Sequence, residues 1–133
     1  MKYLNKILIS TTLMLIATTA TSNSNGALGT WQTESSDKGY LHVLIEECGD
    51  ALCGTIVNAF NLENEVSEDY EHVGKQMLWD MKASGDASWK KGKIWDPSKD
   101  KTYKSKMSVS GDTLSVSGCV LVICRAQDWT RVK

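Results

Sequence analysis
From residue 28 onward the chain breaks into short runs of alternating apolar and polar positions, separated by turn residues. This two-residue period predicts β-strands throughout. A first strand reads over 28–33. After the turn at SSDKG, YLHVLIEE sets Leu41, Val43 and Ile45 on one face and Tyr40, His42, Leu44 and Glu46 on the other. CGDALC turns the chain into GTIVNAF, where Ile56, Val57 and Phe60 mark a strand. QMLWDMKA places Met77, Trp79 and Met81 on one side and Gln76, Leu78, Asp80 and Lys82 on the other. A helix competes there, because Val73, Met77 and Met81 recur every fourth residue, but the SGD turn that follows favours a hairpin. WKKGKIW, TYKSKMSV, TLSVSGCV and RAQDWTRV complete the set, with Tyr103, Ser105, Met107 and Val109 on a shared face.

The turns have their own chemistry. In DPSKDK, Pro97 fixes φ and the carboxylates of Asp96 and Asp100 are placed to accept nearby backbone amides. SGD at 110–112 reads as a hairpin turn. The one long connection, NLENEVSEDYEHVGK at 61–75, is acidic and without alternation, and is a candidate lid. About eight strands joined mostly by short connections predict an all-β fold. The expected form is an eight-stranded antiparallel up-and-down barrel, since closure removes the exposed edges of a meander. A two-sheet sandwich is the alternative.

The first twenty residues follow a different pattern. Lys2 and Lys6 precede an apolar stretch from Ile7 to Ala17, and small residues follow up to Ala20. This is the order of a cleaved secretory signal peptide, and the apolar stretch is shorter than the ~20 residues a spanning helix needs. Residues 1–20 are therefore expected to be a signal peptide and 21–133 a single domain, periplasmic or secreted. The net charge of −1 becomes more negative once Lys2 and Lys6 are removed. Nucleic acid is a poor partner for such a surface, because binding it means neutralising phosphates.

Export changes the reading of the four cysteines. They form two equally spaced pairs, Cys48/Cys53 and Cys119/Cys124, and an oxidising compartment makes disulfides the first expectation. The stretch CVLVIC needs a decision. As a straight strand it would hold its cysteine Cα atoms roughly 16 Å apart at about 3.3 Å per residue. A disulfide needs them within about 7 Å. Local pairing therefore requires the chain to reverse between Cys119 and Cys124, although β-branched residues resist tight turns. The alternative is a straight strand with bridges between the two motifs. Local pairs are the expectation, with Val120, Leu121, Val122 and Ile123 as an apolar tip that packs on the barrel or stands exposed to a protein partner.

Catalytic and metal signals are weak. His42 and His72 sit in no ligand-spaced motif, Glu46 and Glu47 point to opposite faces of one strand, and neither a G-x-S-x-G elbow nor a glycine-rich phosphate cradle occurs. No cofactor or metal is expected, and no enzyme; the remaining acid-base candidate is Asp96 with Tyr103. The five tryptophans carry more information. Trp31 in the first strand and Trp129 in the last would meet where a closed meander joins, with Arg131 placed to lie over an indole. Met77, Trp79, Met81, Trp95, Tyr103 and Met107 are candidates for the wall of a ligand site.

Several blocks in order then carry a resemblance: Gly29 and Trp31 as GxW, CGDALCGTIV, GKIWDPSKDKTYKSKM and the closing GCVLVICRAQDWTRV. Together they resemble the domain of unknown function 2147 family, small exported bacterial proteins, over nearly all of the mature chain. The resemblance implies a lipocalin-like (calycin) barrel and brings no activity with it. Gly29, Trp31 and Arg131 are similar to the structural signature of lipocalins, which supports the fold rather than chemistry. Two positions depart from the family pattern: Asp100 stands where a glycine commonly precedes the lysine of KTY, and VLVI fills a cysteine loop that often contains glycines. The resulting expectation is a periplasmic barrel that binds a small apolar or amphipathic molecule. The runner-up is a non-enzymatic envelope protein that docks a partner through residues 120–123.

Overall fold
The computed structural model describes residues 26–133, with Thr12 alone before them. The expected signal peptide, Thr12 apart, and the expected domain's first residues, 21–25, lie outside the described residues. The meander follows as β1 (Gly29–Gln32), β2 (Tyr40–Cys48), β3 (Ala51–Phe60), β4 (Gln76–Ala83), β5 (Ser88–Asp96), β6 (Lys101–Ser110), β7 (Thr113–Val120) and β8 (Ile123–Arg131). Every strand pairs antiparallel with its neighbours in sequence, and β8 returns to β1. The barrel is therefore closed, the sandwich is ruled out, and 76–83 is a strand rather than a helix.

Two of the tightest turns are those inside the cysteine motifs. Gly49–Asp50 joins β2 to β3 and Leu121–Val122 joins β7 to β8. CVLVIC thus reverses within two residues, and Cys119 faces Cys124 directly across the hairpin with Cα atoms 4.0 Å apart. Both disulfides are local, Cys48–Cys53 and Cys119–Cys124.

The strand registers shift at four places, in three of the strand pairs. Facing β2, β3 carries an extra residue between Ile56 and Asn58. Facing β3, β4 is irregular twice, so that Gly54 opposes Leu78 while its neighbour Thr55 opposes Gln76, and Leu52 opposes Met81. Facing β6, β5 is irregular between Trp89 and Gly92. Asp80 and Lys91 take positive φ of 56° and 63° at two of these sites. An inserted residue moves every later side chain to the other face, bends the strand and increases its twist, which helps a small sheet curl into a ring.

The expected grouping of Met77, Trp79 and Met81 on one face is therefore corrected. Leu78 and Met81, three residues apart, are both buried, with Met77 buried beside them, while Trp79 is only half-buried. The same slip in β5 keeps Trp89 inside and brings Ile94 to the inner face, with half-buried Trp95 packed at the edge of the core. An added Cβ on Gly118, across the barrel wall, would lie 3.6 Å from Ile94 and 3.7 Å from Tyr103. On β6, which has no bulge of its own, the expected face of Tyr103, Ser105, Met107 and Val109 is the inner one.

Side chains fill the middle of the barrel. Trp31, Val43, Ile45, Ile56, Leu78, Met81, Leu114, Val116 and Trp129 are almost completely buried there. Gly92 is part of this packing: a Cβ would stand 2.5 Å from the Met81 sulfur and 2.8 Å from the Trp79 carbonyl oxygen. Met81 occupies the space that any other residue at position 92 would need.

Candidate binding site at the open end of the barrel
The two ends of the barrel are built differently. At one end lie the segment before β1, the turns after β2, β4 and β6, and the C-terminus. Here Trp31 is fully buried and donates from Nε1 to the Ala27 carbonyl at 2.8 Å. The Arg131 guanidinium lies 4.3 Å from the Trp31 ring centroid and donates to the carbonyls of Gly26 at 2.7 Å and Leu28 at 3.2 Å. Gly29 enters β1 with φ of 117°, a region closed to residues with a Cβ. Trp129 is fully buried as well, with its Nε1 donating to Gln127 at 3.1 Å. Gly29, Trp31, Trp129 and Arg131 therefore close this end, with Arg131 over Trp31 bridging the seam.

The opposite end is open on one side. β1 has only four residues, and its register with β8 consists of Trp31 opposite Arg131 and Gln32 opposite Thr130. Beyond that the Asp128 amide donates to the Glu34 carboxylate at 2.8 Å, and residues 123–127 have no strand on their outer edge among the described residues. Alternation from Trp129 directs Gln127, Arg125 and Ile123 to the inner face, across from Val116, Gly118 and Val120. All three are exposed because the wall that would cover them stops short. Half-buried Ile94 and Tyr103 stand beside them on β5 and β6. The result is a basin with apolar Ile94, Tyr103, Val120 and Ile123 and polar Arg125 and Gln127. Arg125 has no carboxylate within ion-pair distance among the described residues.

The connection 61–75 is part of the barrel wall rather than a lid. Phe60 pairs with Val66, the Ser67 amide donates to the Ala59 carbonyl, the Gly74 amide donates to the Ile56 carbonyl, and the Ile56 amide donates to the Lys75 carbonyl. It thereby runs back along the upper half of β3 and fills the gap left because β4 starts low. Tyr70 packs on the core from this segment. Burial, then the nearby carboxylates of Asp96 and Glu71, raise its pKa above the usual phenol value. His72 and Lys75 lie against Trp95 at 5.1 Å and 5.8 Å, and the Trp95 indole donates to Asp100 at 2.9 Å.

The six expected wall residues are therefore not brought together. Met77, Met81 and Met107 are packed in the core, Trp79 is half-buried, Trp95 packs against the edge of the core beside His72 and Lys75, and Tyr103 alone lies at the open basin. Sequence reasoning missed Ile94, Arg125 and Gln127. The signal for Ile94 was hidden by the bulge at Lys91, and that for β8 by the short β1. Two depressions, of about 210 Å³ beside Leu52, Met81 and Trp89 and about 290 Å³ beside Val109 and Arg131, both lie at the closed end. Asp96 and Tyr103 form no acid-base pair: the Asp96 carboxylate accepts from the Ser98 amide at 2.9 Å and hydroxyl at 2.7 Å, capping its turn. No group of three or more metal-ligating side chains occurs among the described residues.

An antiparallel eight-stranded barrel, plugged at one end by a tryptophan under an arginine and open at the other, defines a lipocalin-like protein. A solved structure of protein HP1028 from the human pathogen Helicobacter pylori, described as belonging to the lipocalin family, has this fold. The two align with a TM-score of 0.64 and 15% identity over 80% of this chain and 82% of that one. The family described as uncharacterized protein conserved in bacteria (DUF2147) matches residues 29–131, and the chain belongs to it. No curated protein sequence matches the chain.

Proposed function
We propose that the protein is a non-enzymatic, exported binding protein that takes a small apolar or amphipathic molecule at the open end of its barrel. The observation that carries this reading is the exposed inner face of β8. There, apolar Ile123, the Arg125 guanidinium, which is in no ion pair among the described residues, and the Gln127 amide, whose oxygen accepts from Trp129, face half-buried Ile94 and Tyr103. An apolar body would rest on Ile94, Tyr103, Val120 and Ile123, and a polar end would meet the Arg125 guanidinium. A few polar groups orienting a mostly apolar ligand is the usual composition of such sites. The filled middle of the barrel supports a ligand held at the mouth rather than one enclosed. The two disulfides and the order of residues 1–20 support a periplasmic or secreted location.

Native mass spectrometry of the protein purified from its own envelope tests the reading. A bound small molecule is expected, and Arg125→Glu is expected to lose it while keeping the wild-type melting temperature. Absence of any bound mass, or equal retention by Arg125→Glu and Tyr103→Ala, refutes it.

A further inference from the structure
We propose that the β7–β8 hairpin end inserts into a lipid surface and docks the barrel on an anionic bilayer. Val120, Leu121, Val122 and Ile123 are exposed to 58%, 91%, 95% and 68%. Four consecutive apolar side chains in water are not a packing feature, and the turn geometry does not require them. Leu121 has a φ of 56°, a conformation that favours glycine or asparagine, yet an apolar residue occupies it. The Cys119–Cys124 bridge at the base of the turn holds this tip as one rigid hairpin.

The dimensions and charges suit a membrane interface. Two residues beyond the cysteines extend about 7 Å at the strand rise, within the ~5–10 Å by which interfacial elements enter the acyl boundary. Cations stand just behind: Lys104 is the register partner of Cys119, and Arg125 follows Cys124 and faces Gly118. Lys99 and Lys101 flank the adjacent hairpin end, and none of the four is in an ion pair among the described residues. Asp96 and Asp100 are the nearby acids, and each already accepts a hydrogen bond. Apolar tip first and basic collar second is the order of acyl chains and phosphates in an anionic leaflet. The acidic 61–75 segment runs from β3 to Trp95 on β5 at the same end, so the apolar tip with Lys104 and Arg125 occupies the β6 to β8 side of that end.

A lipid surface fits this tip better than a protein. A stable protein interface buries roughly 800 Å² on each partner, more than four side chains on one hairpin supply. A second copy placed tip to tip would bring Lys104 and Arg125 against their own like charges. A bilayer needs no matching surface and accepts a small insert. Docking in this way sets the mouth of the barrel beside the lipid, whatever ligand the mouth takes.

The test is flotation of the protein, with both disulfides formed, on vesicles of phosphatidylethanolamine and phosphatidylglycerol, compared with pure phosphatidylcholine. Wild type is expected to float with the anionic vesicles, more weakly with phosphatidylcholine, and less at high salt. Leu121→Ser with Val122→Ser, at solvent-exposed positions, should weaken binding on the order of tenfold or more with unchanged circular dichroism. A separate Leu121→Trp variant should shift its emission to the blue on adding anionic vesicles. Wild type that stays with the soluble fraction, a double variant that floats equally, or Leu121→Trp emission indifferent to lipid each overturns the proposal. So does a tip whose mutation disrupts only a concentration-dependent dimer or a protein complex.

Discussion

Arg131→Lys tests how the barrel is closed. The guanidinium lies over Trp31 at 4.3 Å while donating to Gly26 at 2.7 Å and Leu28 at 3.2 Å, with the Gly111 carbonyl at 3.4 Å. It thus ties β8, the segment before β1 and the β6–β7 turn to one indole. Lysine keeps the charge but has no planar face to stack, and its single nitrogen cannot span those carbonyls. The stacked contact contributes about 0.5–2 kcal/mol, and hydrogen bonds from a charged donor about 1.5–3 kcal/mol each. Lysine recovers part of this, so the net loss should be about 2–4 kcal/mol, a fall in melting temperature of roughly 10–20 °C for a domain this size. Urea unfolding followed by tryptophan fluorescence, checked by calorimetry, measures it. Asp112→Asn is the control: it removes only exposed ion pairs, with Arg131 and Lys133, and should leave the midpoint nearly unchanged. An Arg131→Lys protein within about 0.5 kcal/mol of wild type would refute the reasoning, because it would mean the charge alone holds the seam.

Gly92→Ala should destabilise by about 1–3 kcal/mol through overpacking, since the Trp79 carbonyl beside the new Cβ belongs to the backbone and cannot swing away; an unchanged urea midpoint would show that Met81 and β4 yield freely. Burial lowers the pKa of His42 below its ordinary value of about 6.5, so the folded protein binds this proton less readily than the unfolded chain. Its stabilising contribution is full above that ordinary value and is lost as pH falls through it toward the lowered folded value, and His42→Gln should flatten that limb of a stability–pH curve. Replacing Cys119 and Cys124 together by serine should cost about 2 kcal/mol, the chain entropy of so short a loop, and chemical denaturation under non-reducing conditions measures it. A cost near zero would indicate that the hairpin holds the tip without the bridge.

Much of the architecture was legible because the information is local. Alternation marked the strands, glycine and aspartate marked the turns, and short connections left closure as the way to satisfy both outer edges. The GxW at the start and the arginine two residues after Trp129 were readable as one closing contact. Even the disulfide pairing in CVLVIC reduced to whether the chain reverses within two residues, which it does.

Which face a residue took was another matter. Asp80 and Lys91 show no composition that announces a bulge, yet the shifts in β4 bury Leu78 and Met81 together and leave Trp79 half-buried, and the shift in β5 brings Ile94 to the inner face. Nor does alternation reveal how far β1 runs beside β8, and that length decides whether Arg125 and Gln127 are covered or open. By itself the sequence determined the strands, their order, the covalent staples and the closing residues, since each depends on neighbours a few positions away. Only the tertiary structure decided the registers, the inner face and the open edge, because these depend on how eight strands of unequal length share one ring around a core that must be filled.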